Sequence, residues 1–582
     1  MSTIMLPGVG GTTLSFTFAD PTNSELASAV ANALYTASVS GTLRVSAYTG
    51  GATVPVVTSG MTQELVMSST VSGSITVPAA ASGVQQVLVI SNTAPVTIHG
   101  SPNLQIIGGG PGDVVVTDPA VIVLADSGGD ANYADSVSVP AVDSPYAVGM
   151  RAGNETVVGL GSGTITGGSI RNLINVAGST GSNLIISEGS GGDTVFTGAG
   201  ATTVEATSAA HGGLYVDGTG SFSDIDMGSQ DTIAATDASV AAITTGGSQA
   251  MVIGGTGTLS VQDSGGADTI AARAGNLSAT TGGTNALVFG SSSTLSIDAG
   301  GGTGDTVAFG AGGGTFMSFA SSSNALVFAG VGSVSLNGSN TTNDTIVGDA
   351  GSLAVNAGSA NGLLVFGPQR GTGMDFIGGS GSATVVGQAG SDTIFGGTAP
   401  LEIVAGPNET LLASGGSASG GASGTTMFGG TNSDITYGTS SGNLLFVAGL
   451  GNETLNASAA TSSVTMWAGL DPAAGNSLVG GSGTNVMVAG RGADTMVGNI
   501  SSQDVFAFFS VNGGAAANDD ISNFGTLSSV LLFGYGSAAA ASAISGAVSS
   551  GGNTTIALSD NTRITFIGVS SASALTGHIY SS

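Results

Sequence analysis

Along most of this chain, apolar residues come in short runs set between turns rich in Gly, Asn and Asp, and the runs recur at a fixed spacing. Thr13-Leu-Ser-Phe-Thr-Phe alternates apolar and polar positions as a strand does. With Asn23 or Ser24 as N-cap, Leu26, Val30 and Leu34 then recur on one face of a helix. This segment, residues 1–68, reads as a small capping or assembly domain. From residue 69, strands follow at intervals of about eight to ten residues: Gln86-Val-Leu-Val-Ile, Pro95-Val-Thr-Ile, Leu104-Gln-Ile-Ile, Asp113-Val-Val-Val and Val121-Ile-Val-Leu. Residues 126–150, with Pro140, Pro145 and several Asp, read as a surface loop.

The polar positions are periodic as well. Glu155, Asp193, Asp231, Asp268, Asp305 and Asp344 follow one another at 38, 38, 37, 37 and 39 residues. Halfway between them stand Gln249-Ala-Met-Val-Ile, Asn285-Ala-Leu-Val-Phe, Asn324-Ala-Leu-Val-Phe and Asn361-Gly-Leu-Leu-Val, and an opposite ladder runs through Leu277, Leu295, Phe316, Val334 and Leu353. The repeat is therefore a coil of about 18–19 residues made of two half-turns, and such a period calls for a repeat architecture. The units Gly481-Ser-Gly-Thr-Asn-Val-Met-Val-Ala and Gly490-Arg-Gly-Ala-Asp-Thr-Met-Val-Gly show the nine-residue half-turn most plainly. The fold class expected is all-β, a parallel β-solenoid of the β-roll kind over residues 69–500, with identical positions stacked roughly 4.8 Å apart. Residues 501–582 break the repeat and read as a β-rich C-terminal domain with one short helix, able to cover the last apolar layer.

Composition narrows the function. Of 582 residues 101 are Gly, and 36 Asp and Glu face seven basic residues, all Arg, for a net charge of −29. Phosphate recognition depends on clustered Lys and Arg, so nucleic acid and anionic membrane are excluded as partners. A hydrophobic share of 41% and a mean hydropathy of +0.39 are enough to bury a core. The apolar runs fall far short of the roughly 20 residues of a transmembrane helix. The N-terminal residues show no basic stretch followed by an apolar one, and there is no Cys. Histidines, single Arg residues and the absence of G-x-S-x-G, HExxH and P-loop patterns offer no catalytic constellation, so a non-enzyme is expected.

The units Gly189-Ser-Gly-Gly-Asp-Thr-Val, Gly371-Thr-Gly-Met-Asp-Phe-Ile and Gly490-Arg-Gly-Ala-Asp-Thr-Met resemble the core of the RTX (repeats-in-toxin) nonapeptide. The resemblance implies calcium held in the turns of a β-roll by Asp carboxylates and turn carbonyls of neighbouring coils. Calcium takes about six to eight oxygens, so ligands one coil apart are needed. Asp375, Asp392 and Glu409 are spaced by 17, Asp434 and Glu453 by 19, and Asn476 and Asp494 by 18; with Asp193 of the first matching unit these are the candidate metal ligands. Between 193 and 344 the acids stand two coils apart, which implies few or weak ions there. The alternative reading of each half-site is a simple side-chain turn cap or stacking amide ladder that holds no metal.

The C-terminal segments Asp520-Ile-Ser-Asn-Phe, Thr554-Thr-Ile-Ala-Leu and Arg563-Ile-Thr-Phe-Ile-Gly-Val are similar to the ends of RTX proteins exported by type I secretion. That likeness implies an extracellular or cell-surface location without a cleaved N-terminal signal. Lysine-poor, cysteine-free, acidic chains of this kind resemble bacterial surface-layer proteins. The reading is a secreted structural protein that assembles with itself into a layer, filament or matrix. The alternative is a calcium-dependent adhesin or ligand-binding rod with ice or glycan as target, a cell-surface glycan or lipopolysaccharide being the natural partner; the scattered Thr residues do not form the rank expected for ice.

Overall fold

The structure is a computed structural model. It describes residues 2–18, 21–50, 53–101, 104–109, 114–116, 121–124, 136–140, 145–150, 154–168, 170–187, 189–318, 322–370, 373–388, 392–395, 401–405, 410–412, 417–420, 425–428, 434–437, 443–473, 475–510 and 517–582. The fold is an all-β parallel β-solenoid, and the chain divides into two compact units, Met1–Ser293 and Thr294–Ser582. In each unit most successive strands fall alternately into two parallel sheets, so that a typical coil contributes one strand to each.

In the unit Met1–Ser293 the first sheet opens with Leu43–Tyr48, Thr62–Met67 and Gln85–Ile90, and the second with Gly73–Thr76 and Val96–His99. Alternation decides which side chains enter the space between the sheets. On the first sheet one inward column runs Leu65, Leu88, Ile106, Ile122, Val148 and Ile165. On the second, Val195, Tyr215, Ile233, Val252, Ile270 and Val288 are all fully buried. Partners along this ladder, Thr194, Leu214, Thr232, Met251 and Thr269, lie 18–20 residues apart.

Close stacking is possible because the turns are small. A Cβ on Gly247 would stand 1.3 Å from the Gly228 carbonyl oxygen, one on Gly265 1.8 Å from that of Gly247, and one on Gly283 1.6 Å from that of Gly265. Backbone thus rests on backbone at this corner in these successive coils. Gln230, Gln249 and Asn285, just before the second-sheet strands, have φ of 62°, 63° and 59°, in the left-handed region that amide side chains tolerate better than most.

Parallel pairing begins at Leu43–Tyr48, within the stretch that the sequence pattern assigns to a cap. Strands β1 (Ser2–Pro7) and β2 (Thr13–Phe18) pair with each other, and helix α1 (Pro21–Val39) contacts the first-sheet strands Leu43–Tyr48, Thr62–Met67, Leu104–Gly108, Val121–Leu124 and Pro145–Gly149. The helix therefore lies across the outer face of the sheet. Its Ala27, Val30 and Leu34, with Ile4, Leu6 and Phe18 of the hairpin, bury Val66, Val87, Val89, Ile107 and Val123 from outside. These strands are apolar on both faces, as sheets covered on both sides are.

The surface loop expected at 126–150 is corrected at 136–140 and 145–150; residues 126–135 and 141–144 lie outside the described residues. Ser136–Val139 pairs with Val114–Val116 and Thr156–Gly159, and Pro145–Gly149 pairs with Val121–Leu124 and Ser162–Thr166. The two prolines caused the misreading: Pro140 follows one strand and Pro145 opens the next, positions where the missing N–H breaks no interior ladder bond.

In the unit Thr294–Ser582 the parallel ladder continues past residue 500. Asp504–Phe509, Ser529–Phe533 and Ile579–Ser581 extend one sheet, and Asn518–Ser522 and Arg563–Phe566 the other. Antiparallel strands Val548–Ser550 and Asn553–Ala557 and the helix Ala539–Ser545 complete the end. Phe524 packs edge-on against Phe566 at 5.1 Å and His578 at 5.8 Å between ring centres, which fills the last layer.

Candidate functional site

The chemistry of this chain lies in carboxylates at the coil corners. Before each second-sheet strand of the unit Met1–Ser293 stands one residue, in successive coils Asn172, Asp193, Gly213, Asp231, Ala250 and Asp268. The Oδ1 atom of each Asp accepts the backbone N–H of the same position one coil earlier: Asn172 to Asp193 at 2.8 Å, Gly213 to Asp231, and Ala250 to Asp268 at 2.8 Å. A buried N–H left without an acceptor is costly, so the acids at two-coil spacing serve the ladder itself. Gln249 and Asn285, two of the neutral amides expected between them, sit one position earlier, at left-handed turn residues, and Gln230 Nε2 donates to Gln249 Oε1 at 3.1 Å. They do not enter the acid column.

In the unit Thr294–Ser582 the same device recurs. Ala325 N–H donates to Asp344 Oδ1 at 2.9 Å and Met374 N–H to Asp392 Oδ1 at 2.7 Å. Glu453, Asn476, Asp494 and Asp519 form an unbroken stack, in which the N–H of each of the first three donates to the side-chain oxygen of the next, at 2.9, 3.2 and 2.9 Å. Gly490 N–H donates to Asp494 Oδ2 at 2.8 Å and Gly449 N–H to Glu453 Oε2 at 2.8 Å.

The expected ligands are therefore placed as follows. Asn476 and Asp494 meet one coil apart on one edge, with Glu453 beneath them. Asp375 and Asp392 do not: Asp375 pairs with Thr393, one residue beyond Asp392, and its side chain is exposed on the outer face. Asp434 likewise pairs with Thr454 rather than with Glu453. Glu409 lies outside the described residues. Asp193 is fully buried, with Asn172 Nδ2 donating to Oδ1 at 2.9 Å and Ser187 Oγ to Oδ2 at 2.9 Å. Among the described residues no group of three or more His, Asp or Glu is arranged to hold a metal ion.

Burial governs the charge of these acids. It raises Asp193 to about 7 against the bonds from Ser187 and Asn172, Asp519 to about 7, and Asp494 to about 6. A folded carboxyl that keeps its proton above its unfolded value makes stability fall as pH rises, here from about 4 through 6 to 7.

Sequence reasoning missed a second set of interior acids. Asp226 and Asp263 end first-sheet strands and point inward, and each forms a carboxyl pair across the corner, Asp226 with Asp231 and Asp263 with Asp268. Gly228 N–H caps Asp226 Oδ1 and Gly265 N–H caps Asp263 Oδ1, both at 2.8 Å. The four Oδ2 atoms receive no donor from the rest of the chain, and the proton that Asp226 or Asp268 retains has the facing carboxylate oxygen as its acceptor. Burial, then the partner carboxyl, raises Asp226 and Asp268. Asp224 stacks between Val204 and Ile243 with both oxygens unpartnered, and burial pushes it far up. The signal was in the alternation: Asp224 and Asp226 are in phase with the inward Phe222.

Glu64 is a third kind. It stands on the outer face between Val45 and Val87, beneath α1 and the hairpin, fully buried and with both oxygens unpartnered. Burial raises it to about 8. Among the described residues no helix is long and apolar enough to cross a membrane. Comparison of the chain with protein-family models, curated proteins and solved structures gives no match.

Proposed function

We propose that this chain is a non-enzymatic structural protein that assembles with copies of itself outside the cell, the solenoid forming the body of a layer, filament or matrix. The observation that carries the reading is how the chain is spent. Among the described residues, strands paired in parallel recur through the first unit from Leu43 to Phe289 and through the second from Leu295 to Ser581. Helices and antiparallel strands only cover a face or an end. Interior side chains are committed to stacking and to capping backbone N–H groups, which suits a rigid building element.

The RTX-like units support export and calcium binding within this proposal, and the β-rich C-terminal segment is where the likeness to secretion signals falls. Calcium belongs to the turns of residues 371–498, and the assembly is expected to depend on it. Sedimentation of the full chain with added calcium and with a chelator tests both parts. Large species that dissociate on chelation support the reading; large species indifferent to chelation remove calcium from it. Monomers that bind glycan or lipopolysaccharide instead favour an adhesin.

A further inference from the structure

The two outer faces of the unit Met1–Ser293 differ in chemistry. On the second sheet one outward column runs Thr194, Leu214, Thr232, Met251, Thr269 and Leu287 in coil order. The neighbouring column, two residues on in each strand, is apolar at every rung from Phe196 to Phe289. Leu214, Met251 and Phe289 are 37%, 39% and 42% exposed. Outside the first sheet the central column is Ser223, Ala242, Ser260 and Ser278, and the flanking columns set single apolar residues, Val240 and Ile225, among Ser, Thr and Gln.

The fold shows elsewhere what an apolar outer column requires. Val66, Val89, Ile107 and Val123 outside the first sheet are covered by α1 and the hairpin. Among the described residues no element of this unit lies over the second-sheet strip. We propose that a second copy of the chain covers it, strip against strip, as a lateral contact of the assembly; this rests on the structural reading above.

Three features select a copy of the same chain. First, bulky side chains alternate with Thr at two-coil spacing, roughly 9–10 Å. Two such strips offset by one coil place each Leu or Met over a Thr of the partner, a match that needs a surface with the same rise. Second, neither column carries an ionisable side chain, so two copies of a chain with net charge −29 meet here without opposing charges. Third, six rungs of about 4.8 Å and a strand width of about 10 Å give roughly 300 Å². That reaches the few hundred Å² typical of interaction patches but falls short of the ~800 Å² per partner of a stable isolated complex. It suits one contact among several in an extended array.

The test is sedimentation velocity of the full chain over a concentration series, with far-UV circular dichroism as fold control. Leu214→Glu with Met251→Glu changes outward positions only and is expected to raise the concentration for association roughly tenfold or more. Leu214→Thr with Met251→Thr continues the Thr column without charge and is expected to weaken association in the same direction. Ser260→Glu with Ser278→Glu, on the opposite face, is expected to behave as wild type. Wild-type-like association of both strip variants overturns this contact and leaves the assembly reading standing, as does equal loss in the opposite-face variant. A wild-type chain that stays monomeric throughout overturns both. Binding of monomers to lipopolysaccharide micelles that the strip variants lose assigns the strip to that surface and overturns the self-contact.

Discussion

Glu64→Gln is expected to stabilise the N-terminal layer at alkaline pH and to do little in acid. Glu64 is fully buried among Val45, Val87 and the apolar faces of α1 and the hairpin, and no described charged side chain faces it: Arg44 belongs to the opposite face of its strand, and Glu25 of α1 is exposed. Folded Glu64 holds its proton up to about 8 against an ordinary value of 4.5. Between those values the unfolded chain binds fewer protons, so stability falls as pH rises and levels off above about 8. At about 1.4 kcal/mol per unit the full shift is worth about 5 kcal/mol. Protonated Glu and Gln carry similar desolvation costs of about 1–3 kcal/mol, so the two proteins match in acid and the variant gains the roughly 5 kcal/mol of the shift at high pH. Hydrogen exchange of Pro21–Val39, corrected for intrinsic rates and measured at about pH 5 and about pH 9, reads the effect where it acts. Protection in the wild type should fall with pH and in the variant stay level. Identical pH dependence in the two proteins would refute the placement of Glu64 beneath α1.

Three further outcomes follow from the coil geometry. Gly283→Ala should cost roughly 3 kcal/mol or more, because its Cβ meets the Gly265 carbonyl, whereas Gly282→Ala, whose nearest atom is Asp263 O at 3.4 Å, should stay within about 1 kcal/mol in denaturant unfolding. Asp224→Val replaces an unpartnered buried carboxyl between Val204 and Ile243 by a side chain of their own kind, and should raise the melting temperature by an amount equivalent to about 1–3 kcal/mol. Asp494→Ala strips the Asn476 and Gly490 N–H groups of their acceptor and should cost about 2–4 kcal/mol in chelator; a cost that grows when calcium is added marks Asp494 as a ligand as well.

The repeat itself was legible because successive coils rewrite the same requirements: an alternating strand, a tight turn rich in glycine, and, in alternate coils, an acid before the next strand. The phase of individual acids was harder to read. Asp375 and Asp392 both follow glycine-rich turns, yet Asp375 lies inside its strand and Asp392 just before one, and a shift of one residue moves a side chain to the opposite face. The placement of α1 had a signal that spacing alone does not use. Val87–Ile90 and Val121–Leu124 are apolar at every position, unlike the alternating Leu259–Asp263, and only a sheet covered on its outer face needs that. Interior acids such as Asp224 run against hydrophobic expectation, and their protonation reconciles them with the core.

Assembly is tested most directly by electron microscopy of the purified full-length chain in calcium-containing buffer. Ordered sheets or filaments with a regular subunit repeat are expected, and chelation should disperse them. Discrete single particles, unchanged by calcium and by concentration, would contradict a structural, self-assembling role.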